Sequence, residues 1–167
     1  MGAGTAIAGG VFLEKKNLQS IDGAWVLNAQ FRVELSKKAE ESLKRGAPLS
    51  FLQSFELVQK HEYWLDENKV AQERRYQLSY APLLNRYRLK TDAGHSDFDS
   101  LGDALQAVGN LSDWAIGRIA LSTDKRYEAR LRLHLEMNRL PQTLQLRVLL
   151  SPHWDLDSGW QEWSLAL

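Results

Sequence analysis

Cysteine is absent from the 167 residues. That one absence removes a disulfide framework, thiolate zinc sites, iron–sulfur clusters and cysteine nucleophiles together. Net charge is missing too: 21 Lys plus Arg stand against 21 Asp plus Glu. A protein that grips nucleic acid through its phosphates carries a marked surplus of basic residues, so no nucleic-acid partner is expected. No apolar run approaches the roughly 18 to 20 residues that span a bilayer as a helix. The first ten residues, MGAGTAIAGG, lack the basic start and apolar stretch of a secretion signal. They are expected to be a flexible leader (1–10), with any signal absent or removed, ahead of one globular β-rich domain (11–167). Only four prolines occur, and no gap in the pattern resembles an interdomain linker. Gly-x-Ser-x-Gly, His-Glu-x-x-His and a phosphate-cradling glycine loop are likewise absent.

What the chain does have is period-two alternation. After Trp25, the residues Leu27, Ala29, Phe31, Val33 and Leu35 share one parity, with Asn28, Gln30, Arg32 and Glu34 on the other. Tyr127, Ala129, Leu131, Leu133, Leu135 and Met137 repeat the pattern against Glu128, Arg130, Arg132, His134 and Glu136. Such runs are half-buried antiparallel strands. Shorter pieces recur at Phe51, Phe55 and Leu57, at Tyr76, Leu78 and Tyr80, and at Tyr87 and Leu89. Two helices interrupt them. Ser36 caps one over Lys37 to Arg45, stopped by Gly46 and Pro48, with a thin apolar stripe of Ala39 and Leu43 that suggests an edge position. The other starts near Asp97 to Ser100, where Ser100 and Asp103 have capping-box spacing, and ends at Gly109-Asn110. The expected fold is mainly β with two helices: an antiparallel β-sandwich, or a strongly curved antiparallel sheet, with helices at an edge or end.

Residues that could carry chemistry are few. His134 falls on the polar parity of its strand, so a solvated histidine explains it. His95 with Asp97, and His153 with Asp155, each form His-x-Asp, which on a strand points both side chains the same way. Neither pair has a third ligand in view, and Asp97 is explained as helix capping, so no metal and no cofactor are expected. Asp155 and Asp157 belong to a Leu-Asp-Ser-Gly turn that fails as a calcium loop, because glycine comes one position early and no Glu closes it. Trp154, Trp160 and Trp163 are read as the packing of a final strand ahead of a carbohydrate or peptide platform.

The zero net charge hides a separation. Residues 74–90 hold Arg74, Arg75, Arg86, Arg88 and Lys90 without an acid, and residues 91–117 hold Asp92, Asp97, Asp99, Asp103 and Asp113 without a base. Either the two segments neutralise each other, or the basic one meets an anionic partner surface. Arg and Tyr are favoured interface anchors, so the expected contact residues are Arg74, Arg75, Tyr76, Tyr80, Arg86, Tyr87 and Arg88.

Taken in order, several of these stretches resemble one bacterial family. They are Gly46-Ala-Pro-Leu-Ser-Phe, Phe55-Glu-Leu, Tyr63-Trp-Leu-Asp, Arg75-Tyr-Gln-Leu-Ser-Tyr, Asn85-Arg-Tyr-Arg-Leu, Phe98-Asp-Ser-Leu-Gly-Asp-Ala-Leu, Trp114, Tyr127-Glu-Ala-Arg-Leu-Arg-Leu, Leu140-Pro141 and Trp154-x-Leu-x-Ser-x-Trp160. The chain is similar over about Val11 to Trp163 to the domain of unknown function 4390 family. That resemblance implies an exported, periplasmic protein often encoded beside a membrane sensor histidine kinase of the nitrogen-regulation type, and it implies no established activity. Relatives commonly carry His where this chain has Ala81. The expectation is a non-enzymatic extracytoplasmic accessory or binding module, with a sensor kinase periplasmic region as partner. A lipid or small-ligand carrier with a cavity in a curved sheet stands second, and an enzyme using His153 and Asp155 third.

Overall fold

A computed structural model describes residues 9–149 and 154–167. Their order is β1 (Gly10–Ile21), β2 (Ala24–Glu34), α1 (Lys37–Lys44), β3 (Leu49–Lys60), β4 (Glu67–Ala81), β5 (Arg86–Thr91), β6 (Gly94–Phe98), α2 (Leu101–Gly109), β7 (Asn110–Arg118), β8 (Arg126–Leu135), α3 (Gln142–Leu149) and β9 (Gln161–Ser164). One sheet has the order β1-β2-β7 and the other β6-β5-β4-β3-β8-β9. Every pairing is antiparallel.

The alternation read from the sequence builds the layer between the sheets. Leu27, Ala29, Phe31 and Val33 of β2 are buried, as are Phe51, Phe55 and Leu57 of β3 and Ala129, Leu131, Leu133 and Leu135 of β8. Both sheets contribute to one continuous core. Phe55 of the larger sheet meets Trp114 of the smaller at 6.4 Å between ring centroids. Phe31, Phe51 and Phe55 are fully buried in this layer.

Both expected helices form, and each carries the chain from one sheet to the other. Ser36 Oγ accepts from Ala39 N at 3.2 Å and Ser100 Oγ from Asp103 N at 3.1 Å. The stripe of α1 is thin but completely buried at Ala39 and Leu43, so this helix closes the core where the chain crosses between sheets. Where two helices are expected the described residues form three, and a 3-10 turn at Met137–Arg139 leads into α3. Pro141 stands just ahead of α3, and its carbonyl accepts from Leu144 N and Gln145 N, where a missing proline N–H costs nothing.

Candidate functional site

Register decides which residues of β4 can reach a partner. Leu49 pairs with Leu78, Phe51 with Tyr76 and Gln53 with Arg74, so Arg74, Tyr76 and Leu78 share the inner face with buried residues of β3. Arg74 therefore faces the core. Its Nε donates to Gln53 Oε1 at 3.2 Å, and its guanidinium lies 4.4 Å from the centre of the Trp114 ring and 5.9 Å from that of Tyr76. The same inner layer continues as bonds from the larger sheet to α2 and to β7 of the smaller sheet. Gln53 Nε2 donates to Val108 O at 3.0 Å, Trp114 Nε1 to Gln72 Oε1 at 3.1 Å, and Gln72 Nε2 to Ile116 O at 2.7 Å.

Tyr80 and Tyr87 also share that face, opposite each other in the ladder with ring centroids 4.9 Å apart. Tyr87 is buried, and burial raises the pKa of its phenol. The remaining three expected contact residues, Arg75, Arg86 and Arg88, point outward and each holds an acid. Arg88 bonds Asp97 through two nitrogens at 2.9 and 3.2 Å, and Arg86 lies 3.0 Å from Asp99. The basic and acidic segments thus neutralise each other at these two pairs. Asp97, expected as a helix cap, lies in β6 instead, and the Arg88 hydrogen bond holds its carboxyl below the usual range. Arg75 reaches outside both segments to Glu136, at 2.5 and 2.8 Å.

Glu136 lines a cleft at the end of β8. Segment 154–159 runs beside the strand: Leu135 N donates to Leu156 O, Ser158 N to Leu133 O and Leu133 N to Ser158 Oγ. A space of about 690 Å³ is lined there by Arg132, His134, Glu136, Met137, Trp154 and Asp157, among others. Arg132 grips Asp157 at 2.9 and 2.5 Å, and Gly159 N adds a bond at 2.8 Å. Asp157 serves the turn through that Gly159 bond, and Arg132 is the first cause that lowers the pKa of its carboxyl. Glu136 is clamped between Arg75 and Arg139, the latter at 3.2 Å, and the Arg75 bond lowers its pKa. His134 sits between these pairs. Its Nδ1 is buried with no hydrogen-bond partner among the described residues, and burial followed by the Arg132 charge lowers its pKa, which favours the neutral ring.

Chemically the cleft offers a neutral imidazole flanked by planar guanidinium–carboxylate pairs, a surface suited to hydrogen bonding and stacking. Among the described residues no cluster of three or more His, Asp or Glu could hold a metal ion. Asp155 is exposed, His95 Nδ1 lies 3.9 Å from an Asp97 already held by Arg88, and His153 lies outside the described residues. Trp154 is buried, Trp163 sits in β9 partly buried against the core, and Trp160 is exposed.

Two antiparallel sheets joined through helical crossovers, with an ion-paired outer face and a cleft at one end, define an all-antiparallel, mainly β domain. The chain belongs to the family described as Domain of unknown function (DUF4390), whose pattern matches residues 9–164. Neither a curated protein nor a solved structure matches it.

Proposed function

We propose that the chain is a non-enzymatic extracytoplasmic accessory module that binds a protein partner, with the periplasmic region of a membrane sensor kinase as the candidate. The compartment and the candidate partner rest on the family resemblance. The binding surface rests on the turn between β4 and β5. Leu83 is 100% exposed and Leu84 62%, yet the turn that presents them is fixed. Leu84 N donates to Ala81 O, Asn85 N to Pro82 O, and Tyr80 OH to Asn85 Oδ1. An apolar centre beside Arg86 and Arg88 has the anatomy of an interface, in which apolar anchors are ringed by arginine and other polar groups.

Two variants test the reading by capture of the purified periplasmic region of the kinase. Arg86→Glu with Arg88→Glu sets like charges beside Asp99 and Asp97, and Leu83→Ser with Leu84→Ser removes the apolar centre. Each is expected to weaken capture at least tenfold while the thermal transition stays close to that of the wild type. Capture unchanged in both would remove this face.

A further inference from the structure

The opposite end of β4 carries a different apolar tip. Pairing of β3 with β8 ends at Lys60 and Arg126, and pairing of β3 with β4 at Gln59 and Glu67. Residues 61–66 therefore project beyond the last paired residues of the larger sheet. Tyr63, Trp64 and Leu65 lie on that projection, 87%, 67% and 90% exposed. Isolated apolar residues on a surface are ordinary, whereas three in a row at a protruding tip form a patch. The tip is also prearranged. Asp66 closes its neck by accepting from Lys60 Nζ at 2.7 Å and from His61 N at 3.3 Å, and the His61 ring stacks on Trp64 at 4.9 Å.

From this we infer that the β3–β4 tip inserts into the headgroup boundary of a lipid bilayer. The shape favours lipid over protein, because a convex tip needs no preformed pocket in a fluid phase. Composition agrees, since Trp and Tyr settle where an apolar body can be buried while a polar edge stays wet. Charge agrees as well. Behind the tip three basic groups are each bound to an acid: Lys60 to Asp66, Lys69 to Glu67 at 3.0 Å and Arg126 to Glu62 at 3.6 Å. Lowering the tip leaves these three cations beside their carboxylates. A second hairpin adds to the contact. β7 ends at Arg118 opposite Ala24, and the chain then leads to Arg126 opposite Lys60, which puts the β1–β2 turn, with Ile21 56% exposed, at this same end. The 15 residues of β4 separate the two tips by roughly 45 Å at the usual rise per strand residue. A domain seated this way carries the Leu83–Leu84 turn on its far side, facing away from the bilayer.

The test uses the full chain and sedimentation with vesicles of pure phosphatidylcholine, and of equal parts phosphatidylethanolamine and phosphatidylglycerol. The wild type is expected to bind both at millimolar lipid and to stay bound in high salt. Tyr63→Ser with Trp64→Ser and Leu65→Ser is expected to lower the partition coefficient at least tenfold with an unchanged circular dichroism spectrum. Leu83→Ser with Leu84→Ser should leave it unchanged, so failure here is separate from failure of the partner turn. A wild type that ignores both vesicles, a triple variant that binds as well as the wild type, or binding to anionic vesicles alone that salt abolishes would each overturn the inference. Loss of protein capture by the triple variant, with no vesicle binding by the wild type, would overturn it in favour of a protein occupant.

Discussion

Arg74 and Arg75 are neighbours on one strand with the same side chain, and they do opposite work. Arg74 turns inward and lies over Trp114, bonded to a fully buried glutamine and without a carboxylate partner among the described residues. Arg75 turns outward and clamps Glu136, whose side chain is only 10% exposed. One helps to join the two sheets and the other ties β4 to the chain beyond β8. A run of like charge in a strand is thus split between faces by the two-residue period, so a basic segment in sequence need not make a basic patch in space.

The largest break in the inner arrangement comes from its platform. Trp114→Ala removes the ring that Phe55 and Arg74 pack on and strands Gln72 Oε1, at a cost of about 3–5 kcal/mol. Urea denaturation would measure it, and a loss well below that range would show that the sheets hold together without this contact. A finer test sets the two arginines side by side. Arg74→Met and Arg75→Met should each cost about 1–3 kcal/mol, the first by leaving Gln53 Oε1 without its donor and the second by leaving Glu136 to Arg139 alone. Salt separates them. Half a molar salt should shrink the cost of Arg75→Met, since that guanidinium is 39% exposed and can be screened, and should leave the cost of Arg74→Met unchanged. Equal responses would mean that the two faces are not electrostatically distinct.

The smallest effect is a pH dependence at the cleft. His134 is shifted below its ordinary 6.5, so the unfolded chain takes up the proton first as pH falls. Its contribution is complete above about pH 6.5 and is lost as pH drops through that value towards the folded pKa. Glu136 and Asp157, also lowered, add stability that is complete above about pH 4.5 and lost only in stronger acid. His134→Gln should therefore flatten the stability profile as pH falls below about 6.5 and leave the acid limb intact. An unaltered slope in that upper window would detach the histidine from it.

Strong alternation made β2 and β8 legible, and capping serines made α1 and α2 so, because local chemistry alone sets them. Other parts depend on partners distant in sequence. β7 hides its inward set, Leu111, Trp114 and Ile116, because Asp113 and Gly117 adopt positive φ and its pairing with β2 shifts register twice. β4 is long, but only its second half alternates visibly. Its first half is mostly exposed and gains its place from pairing with β3. The β1–β2 turn at Asp22-Gly23 has positive φ at both residues, the conformation of a two-residue hairpin loop. At the site, Glu136, Asp157 and Arg139 gave no signal of their own, since their roles exist only once β8 lies beside β3 and segment 154–159. Gln53 did give one: a glutamine on the apolar parity of an aromatic strand must find a partner inside.

α2 passes into β7 without an intervening residue, Gly109 to Asn110. At that corner a side-chain carbon on Gly109 would stand 2.1 Å from the Phe31 carbonyl oxygen, backbone at the centre of the core that cannot retreat. Insertions and deletions should therefore be tolerated very unevenly along the chain. The hairpin tips at residues 61–66 and 82–85 can lengthen at little entropic cost. A single residue added at 109–110 would move β7 one position along, carrying Leu111, Trp114 and Ile116 out of the core and Asn110, Asp113 and Ala115 in, so length variation among related chains should collect at the tips and spare this corner.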